Sequence, residues 1–356
     1  MSRLPNLDPL RFFLASIVIL FHVPKLCRNQ SLPYYDGLPI FHRGMEAVFM
    51  FFILSGFLII RIIYLEKKRS TFSIKRFYTR RMLRIFPLYY FVVIFGFLFY
   101  FVLLPALNIP FENNYHLIDG ILLSVFFLPN VFAELYRPGG ILEILWSIGI
   151  EEQFYLVIAP LLFFIKRKQI LVTLLLLSII YFLIFHSMIF DYLKEFHFYF
   201  YFLFSGGVVA LLEEHKKLEV LKSIKLAPLV ITTLTFLYFF TDMLITNILW
   251  LDHLIILSIF PVFIHTISFN NRKLTITNKT FNYLGTISYG IYMFHVIALN
   301  FVVFLFLKLD FLKNLQSELA ILIIFSLTFA VTIAMAHLSY KYFESYFLRL
   351  KHKFRS

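Results

Sequence analysis

The run Pro9-Leu10-Arg11-Phe12-Phe13-Leu14-Ala15-Ser16-Ile17-Val18-Ile19-Leu20-Phe21-His22-Val23-Pro24-Lys25 is apolar along almost its whole length. It reads as a membrane-crossing helix, because about 20 apolar residues rising 1.5 Å each match a hydrocarbon core of roughly 30 Å. A barrel strand would instead alternate apolar and polar residues over about ten positions. Runs of the same kind recur at 44–64, 85–105, 146–165, 169–189, 196–212, 226–242, 247–267, 285–307 and 318–340, so ten spans are expected. The whole-chain composition agrees with this reading. Of 356 residues, 60% are hydrophobic and 20% aromatic, only 15% are charged, and the mean hydropathy is +0.83. A soluble domain carries about 25% charged residues, so this chain cannot cover a globular surface with ionic groups. A soluble enzyme, a disordered chain and a disulfide scaffold are therefore excluded. The expected fold is an all-α polytopic membrane protein.

The charges supply an orientation. The formal net charge is +13; 25 of the 33 Lys and Arg fall at the termini and in every second connector, and Arg61 at the inner end of the second span makes 26. Those connectors include Glu66-Lys67-Lys68-Arg69 through Arg84, Lys166-Arg167-Lys168, Glu213 to Lys225, and Arg272 to Lys279. The positive-inside rule then places both termini in the cytoplasm. Basic excess is mostly a topology signal, not a nucleic-acid signal. The segment 117–132 holds about 11 strongly apolar residues before Pro129, too few to cross. A crossing there would also invert every later loop, so a short interfacial or re-entrant outer helix is expected. The single cysteine, Cys27, leaves no internal disulfide and no cysteine metal site. Asp8 and Arg11 enter the first span and no small-x-small site follows it, which argues against a cleaved signal. One domain is expected over 1–345, followed by a basic cytoplasmic tail over 346–356.

Ionisable groups inside spans cost roughly 2.5–3.5 kcal/mol each, so they face a cavity or a partner. Arg11 and His22 are eleven positions apart, which puts them about 20° apart around a helix and about 16 Å apart along it. Asp8 lies one turn before Arg11 and can pair with it. The bland alternative is a snorkelling Arg11 and a satisfied His22 at a helix end. Arg81 and Arg84, at i and i+3, share a face just before Pro87. Guanidinium forks suit phosphate oxygens, although basic residues at a cytoplasmic helix start are also what topology requires. In Trp146-Ser147-Ile148-Gly149-Ile150-Glu151-Glu152-Gln153-Phe154-Tyr155, two adjacent carboxylates sit inside an apolar run, and at least one must face the bundle. Glu46 opens the second span, and His295 lies near the middle of the ninth. His186, His265 and His337 have no accompanying pattern and read as structural. No metal cluster is expected among the eleven His.

Together these segments resemble the membrane acyltransferase 3 family, which acylates sugars at the bacterial cell surface. The resemblance rests on Leu7-Asp8-Pro9-Leu10-Arg11 with His22, and on Phe51-Phe52-Ile53-Leu54-Ser55-Gly56-Phe57-Leu58-Ile59. It rests further on Arg81-Met82-Leu83-Arg84-Ile85-Phe86-Pro87, on Trp146 to Tyr155 with Pro160, and on Ser288-Tyr289-Gly290-Ile291-Tyr292 with His295. It runs from Leu7 to about Glu344. Two departures stand out. Pro9 replaces the usual Gly, and Phe49 stands where many members have Asp, a role that Glu46 could take over.

The resemblance implies transfer of an acyl group, usually acetyl from acetyl-CoA, to a sugar hydroxyl, in the bacterial cytoplasmic (inner) membrane. It implies an essential Arg11 and His22, and an acyl-donor site at Arg81 and Arg84. No bound cofactor is expected beyond the donor substrate, and the partners are a carbohydrate or lipid-linked glycan, acyl-CoA and the bilayer. Many relatives carry an esterase-like C-terminal domain, whereas no Gly-Asp-Ser string occurs here. Acyl transfer needs a base for the hydroxyl proton and stabilisation of the developing oxyanion. His22 is the expected base, oriented by Glu151 or Glu152, with an acyl-imidazole as the alternative chemistry. Glu46, Trp146, Tyr289 and His295 are the substrate-pocket candidates. The competing class is a transporter or flippase for a glycan or lipid-linked intermediate, against which no inverted repeat is found. The orientation can be checked directly. A C-terminal green fluorescent protein fusion should fluoresce and a C-terminal alkaline phosphatase fusion should be inactive; the opposite pair of results would invert the topology.

Overall fold

The computed structural model describes residues 4–269, 276–313, 315–351 and 354. Arg272, Lys273 and most of the expected basic tail after Lys351 lie outside the described residues. The longer helices, in chain order, are α1 (Leu7–Asn29), α2 (Gly44–Lys68), α3 (Ile74–Leu98), α4 (Leu117–Val125), α5 (Pro129–Tyr136) and α6 (Trp146–Phe164). They continue with α7 (Ile170–His186), α8 (Phe200–Glu214), α9 (Ala227–Phe240), α10 (Leu249–Phe269), α11 (Lys279–Thr286), α12 (Ser288–Lys308), α13 (Ser317–Ser339) and α14 (Ser345–Lys351). No strand occurs among the described residues. α3 runs on through a π-helical turn at Phe99–Leu103, and a second such turn, Tyr340–Glu344, joins α13 to α14.

Eight of these stretches are long and apolar enough to cross a membrane. The other two expected spans appear as α8 and α9, of 15 and 14 residues. At 1.5 Å per residue each falls short of a roughly 30 Å core. The segment expected to be a short outer helix is two helices, α4 and α5, of nine and eight residues. Phe127 breaks them apart at φ 57°, and Pro129 opens the second, where its missing N–H costs nothing. α3 begins eleven residues before the expected span start, so Arg81 and Arg84 lie about two and three turns inside it. Pro87 sits within the helix and does not end it.

The chain forms two compact units, Met1–Arg61 with Phe202–His337, and Ile62–Tyr201 with Leu338–Ser356. In the first, Asn6 precedes α1 in the left-handed region, φ 61°, which Asn tolerates better than most residues. Its Nδ2 donates to the Ile267 carbonyl (2.9 Å) and its Oδ1 accepts from the Ile276 N–H (2.7 Å). That amide fixes the entry of the helix carrying Arg11 and His22. Nearby, the α11 backbone at Gly285 lies against α1 so closely that a Cβ would stand 1.9 Å from the Asp8 carbonyl oxygen. α12 is the core helix of this unit, buried over most of its length. At the other end, Arg61 pairs with Glu214 (2.8 Å), and the buried His265 meets Glu213 (2.8 Å).

In the second unit a buried ion pair joins α2 to α3. Arg80 Nη2 donates to both oxygens of Glu66, at 2.8 and 3.1 Å. Lys67 Nζ donates to the Leu162, Phe163 and Ile165 carbonyls, at 2.5, 3.0 and 2.5 Å. It thereby closes the unpaired C-terminal end of α6. A membrane helix end needs such partners, because lipid offers none.

Within the first unit, α2 and α8 cross at small residues. A Cβ on Gly56 would lie 1.9 Å from the Leu203 carbonyl oxygen, and one on Gly206 would lie 1.9 Å from the Ile53 carbonyl oxygen. Backbones this close are the small-residue mode of helix packing in lipid. Neither contact can relax, since both obstacles are backbone. Gly206→Val should therefore lower the melting temperature in detergent by about 5 °C or more, read by thermal size-exclusion. An unchanged transition would refute this packing.

Candidate functional site

α1 is one continuous helix through Pro24, so Arg11 and His22 do share a single rigid element. At 1.5 Å per residue they are separated by about 16 Å along it. His22 faces α12, where it meets His295. The ring centroids are 4.9 Å apart, and His295 Nε2 lies 3.3 Å from His22 Nδ1. His22 Nδ1 also lies 2.8 Å from the Val18 carbonyl, and His295 Nδ1 lies 2.5 Å from the Tyr292 carbonyl. A carbonyl can only accept, so in each neutral ring the proton sits on Nδ1 and Nε2 holds a lone pair. The His22 Nδ1–H is then shared between Val18 and the lone pair of His295. His22 Nε2 is left with no hydrogen-bond partner among the described residues. His295 is fully buried while His22 is only half-buried. The pair thus consists of a buried imidazole and a half-buried one whose Nε2 has no partner among the described residues.

Arg11 does pair with Asp8, Nη1 to Oδ1 at 2.8 Å, and the Asp8 residue is buried. Glu46, at the first turn of α2, is held less completely. Arg43 approaches it only to 4.0 Å, because its guanidinium donates to the Tyr238 and Thr241 carbonyls, both at 3.2 Å, and to Asp242. Glu46 Oε2 is buried with no hydrogen-bond partner among the described residues. Phe49, one turn further on, stacks on Phe202 (4.5 Å) and meets the edge of the buried His253 ring (5.5 Å). The position where many family members have an acid is here part of an aromatic stack. Tyr289 is half-buried at the start of α12.

The second unit holds the other candidates. Arg81, on α3, has its guanidinium carbon 5.8 Å from the centre of the Tyr155 ring on α6. Its Nε is buried without a hydrogen-bond partner. Tyr155 in turn donates to Glu151 Oε2 at 2.6 Å. Glu152 is 5% exposed, and its Oε1 also lacks a hydrogen-bond partner. Arg84, Glu152 and Arg80 all lie within electrostatic reach of Arg81. Arg84 further acts on Glu344, whose Oε1 accepts from the Ser339 hydroxyl at 2.9 Å. The three arginines of this segment therefore differ in kind. Arg80 is committed to Glu66, whereas Arg81 and Arg84 make no hydrogen bond or ion pair among the described residues. Two cations of this kind on one helix face are suited to phosphate oxygens. Trp146 opens α6, with its ring 5.1 Å from that of His197.

Glu151 and Glu152 belong to the second unit, and His22 to the first. Within its own unit the side-chain partner of His22 is His295, an imidazole. Sequence reasoning also passed over Glu66, Arg43 and Tyr155. Glu66 and Arg43 lie in loops or at helix ends, where a charge calls for no explanation. Among the described residues, no group of three or more His, Cys, Asp or Glu could hold a metal ion.

Residues 4–337 match the family described as "Acyltransferase domain", acyltransferase 3. A protein of Staphylococcus aureus named "O-acetyltransferase OatA" is 29% identical over 189 residues, covering 50% of this chain and 28% of that one. The "Peptidoglycan O-acetyltransferase OatA" of Listeria monocytogenes is 30% identical over 168 residues, covering 46% and 25%. An uncharacterized Haemophilus influenzae protein is 34% identical over 129 residues, covering 34% and 49%. The matches thus span about half or less of each of these relatives. No solved structure matches the chain. The family match extends over nearly all of the sequence, from before Arg11 to beyond His295, and the chain belongs to the acyltransferase 3 family.

Proposed function

We propose that this chain is a multi-pass O-acyltransferase of the bacterial cytoplasmic membrane. It moves an acyl group, acetyl in the first instance, from cytoplasmic acyl-CoA to a hydroxyl of a cell-surface or lipid-linked glycan. The observation that carries this reading is the free Nε2 of His22, a base nitrogen held in one tautomer by the Val18 carbonyl and by His295. Family membership and the names of the acetyltransferase relatives support the reaction class.

In the proposed step the glycan hydroxyl gives its proton to His22 Nε2 as its oxygen bonds to the thioester carbon. The tetrahedral intermediate collapses by breaking the C–S bond. The thiolate takes the proton from the imidazolium, leaving an O-acyl ester and free CoA. His295 acts as a positioning residue, since it shares the His22 Nδ1–H and so keeps the reactive nitrogen unprotonated and aimed. Arg81 and Arg84 bind the donor phosphates, for which their uncommitted guanidinium groups are fitted. Arg11, tied to Asp8, adds fixed positive charge to the same helix as the base.

A His22→Gln variant keeps a polar side chain of similar size but has no basic nitrogen. Expressed in a strain lacking the native gene, it should reach wild-type membrane abundance and leave surface glycans without O-acyl groups. Wild-type O-acyl content from that variant would remove His22 from the chemistry. His295→Gln should retain some activity, lowered by about ten- to a hundredfold, as expected for a residue acting through another (about 1.4 kcal/mol per factor of ten).

A further inference from the structure

The proposed function leaves the acceptor unplaced, and one cluster in the second unit has chemistry suited to it. At the start of α6, at the end away from Lys166, the Trp146 ring stands edge-on to His197 (5.1 Å, 67°) and to Tyr199 (6.4 Å, 69°). The His197 and Tyr199 rings are nearly parallel, 11° apart in tilt with centroids 5.9 Å apart. Glu134, on α5, reaches toward the same point, its Oε2 3.9 Å from His197 Nε2. That distance is too long for a hydrogen bond.

The tautomer explains the gap. His197 Nδ1 donates to the Lys194 carbonyl at 3.2 Å, so in the neutral ring Nε2 is a lone pair. Burial holds the His197 imidazole below its ordinary value, which favours the neutral ring. Two acceptors, an imidazole nitrogen and a carboxylate oxygen, then face one another across 3.9 Å with no donor between them. Both remain reachable, with side chains 31% and 38% exposed.

The loop that presents His197 is held in an unfavourable shape. His197 has φ 60°, a region that a non-glycine residue enters only at a cost. The conformation is locked from below. Asn130, fully buried on α5, donates through Nδ2 to the Phe196 carbonyl (2.8 Å), and Gln153 of α6 donates to Asn130 Oδ1 (2.8 Å) and to the Phe127 carbonyl (2.7 Å). Gln153 directly follows Glu151 and Glu152, so the segment carrying the buried Glu152 also supports this loop.

We infer that Trp146, Tyr199, His197 and Glu134 form a sugar-binding subsite of the second unit, which takes an acceptor ring against the aromatic faces and its hydroxyls on the two facing acceptors. A sugar suits it on both counts. Its C–H face packs on aromatic rings, and neighbouring hydroxyls supply the donors that His197 Nε2 and Glu134 Oε2 lack. The inference rests on the proposed transfer to a glycan.

The test uses the full-length protein in nanodiscs with acetyl-CoA and, as acceptor, base-de-O-acylated surface polysaccharide from the producing strain. Glu134→Gln, an exposed change outside any packed core, and Trp146→Ala should each raise the acceptor KM about tenfold or more while the acetyl-CoA KM stays unchanged. His197→Asn should do the same, because Asn tolerates the left-handed backbone and so removes the ring without releasing the strain. Unchanged acceptor KM in Glu134→Gln and His197→Asn, with wild-type transfer intact, would overturn the subsite and reduce the cluster to an aromatic anchor. Absence of transfer by the wild type would instead count against the proposed function itself.

Discussion

Lipid supplies no hydrogen bonds, and the architecture follows from that constraint. Every polar group within a span must find its partner in the protein or hold a place for something else. Most find one. Arg80 closes on Glu66, Lys67 covers the carbonyls at the end of α6, Arg61 meets Glu214 and Arg11 meets Asp8. Nine buried side-chain atoms have no hydrogen-bond partner among the described residues, and the three that belong to carboxylates or guanidinium groups are Glu46 Oε2, Arg81 Nε and Glu152 Oε1. Nε2 of the half-buried His22 is a further nitrogen without one. In a chain with 15% charged residues these are not surplus groups left on a surface.

The same constraint gives the histidine pair its direction. Two imidazoles side by side could share protons in several ways, but backbone carbonyls of Val18 and Tyr292 fix Nδ1 as the protonated atom in both rings. Helix carbonyls four and three residues back are always present, so the device needs no additional charged residue. It leaves one base nitrogen directed out of the pair. In the proposed reaction that nitrogen is the base, oriented by backbone carbonyls and a second imidazole.

Much of this was legible in the sequence, for physical reasons. Apolar runs report helices because span length is set by bilayer thickness, and α1, α2, α6, α10, α12 and α13 fall where hydropathy places them. Arg11 and His22 could be set on one helix by counting, since eleven residues come close to three whole turns. Arg81 and Arg84 could be singled out by their i, i+3 spacing. Helix ends were less legible, as α3 shows by starting at Ile74 well before its hydrophobic stretch. Long-range pairing was not legible at all. His295 lies 273 positions from His22, and no local periodicity distinguishes it from other buried histidines. Nor could Arg80 be separated from Arg81, because their difference is the presence of Glu66 fourteen residues earlier. The His197 loop carried no signal, since its shape depends on Asn130 and on a backbone turn.

In the proposed reaction the uncommitted guanidinium groups of Arg81 and Arg84 are completed by the donor phosphates. Calorimetric titration of the purified protein with CoA tests it most directly. Removing one charge-assisted phosphate contact should weaken binding about tenfold or more. Arg81→Ala and Arg84→Ala should each show that loss while the purified variants stay folded and monodisperse, since neither guanidinium makes a hydrogen bond or ion pair among the described residues. Undiminished CoA affinity in both variants would contradict the claim.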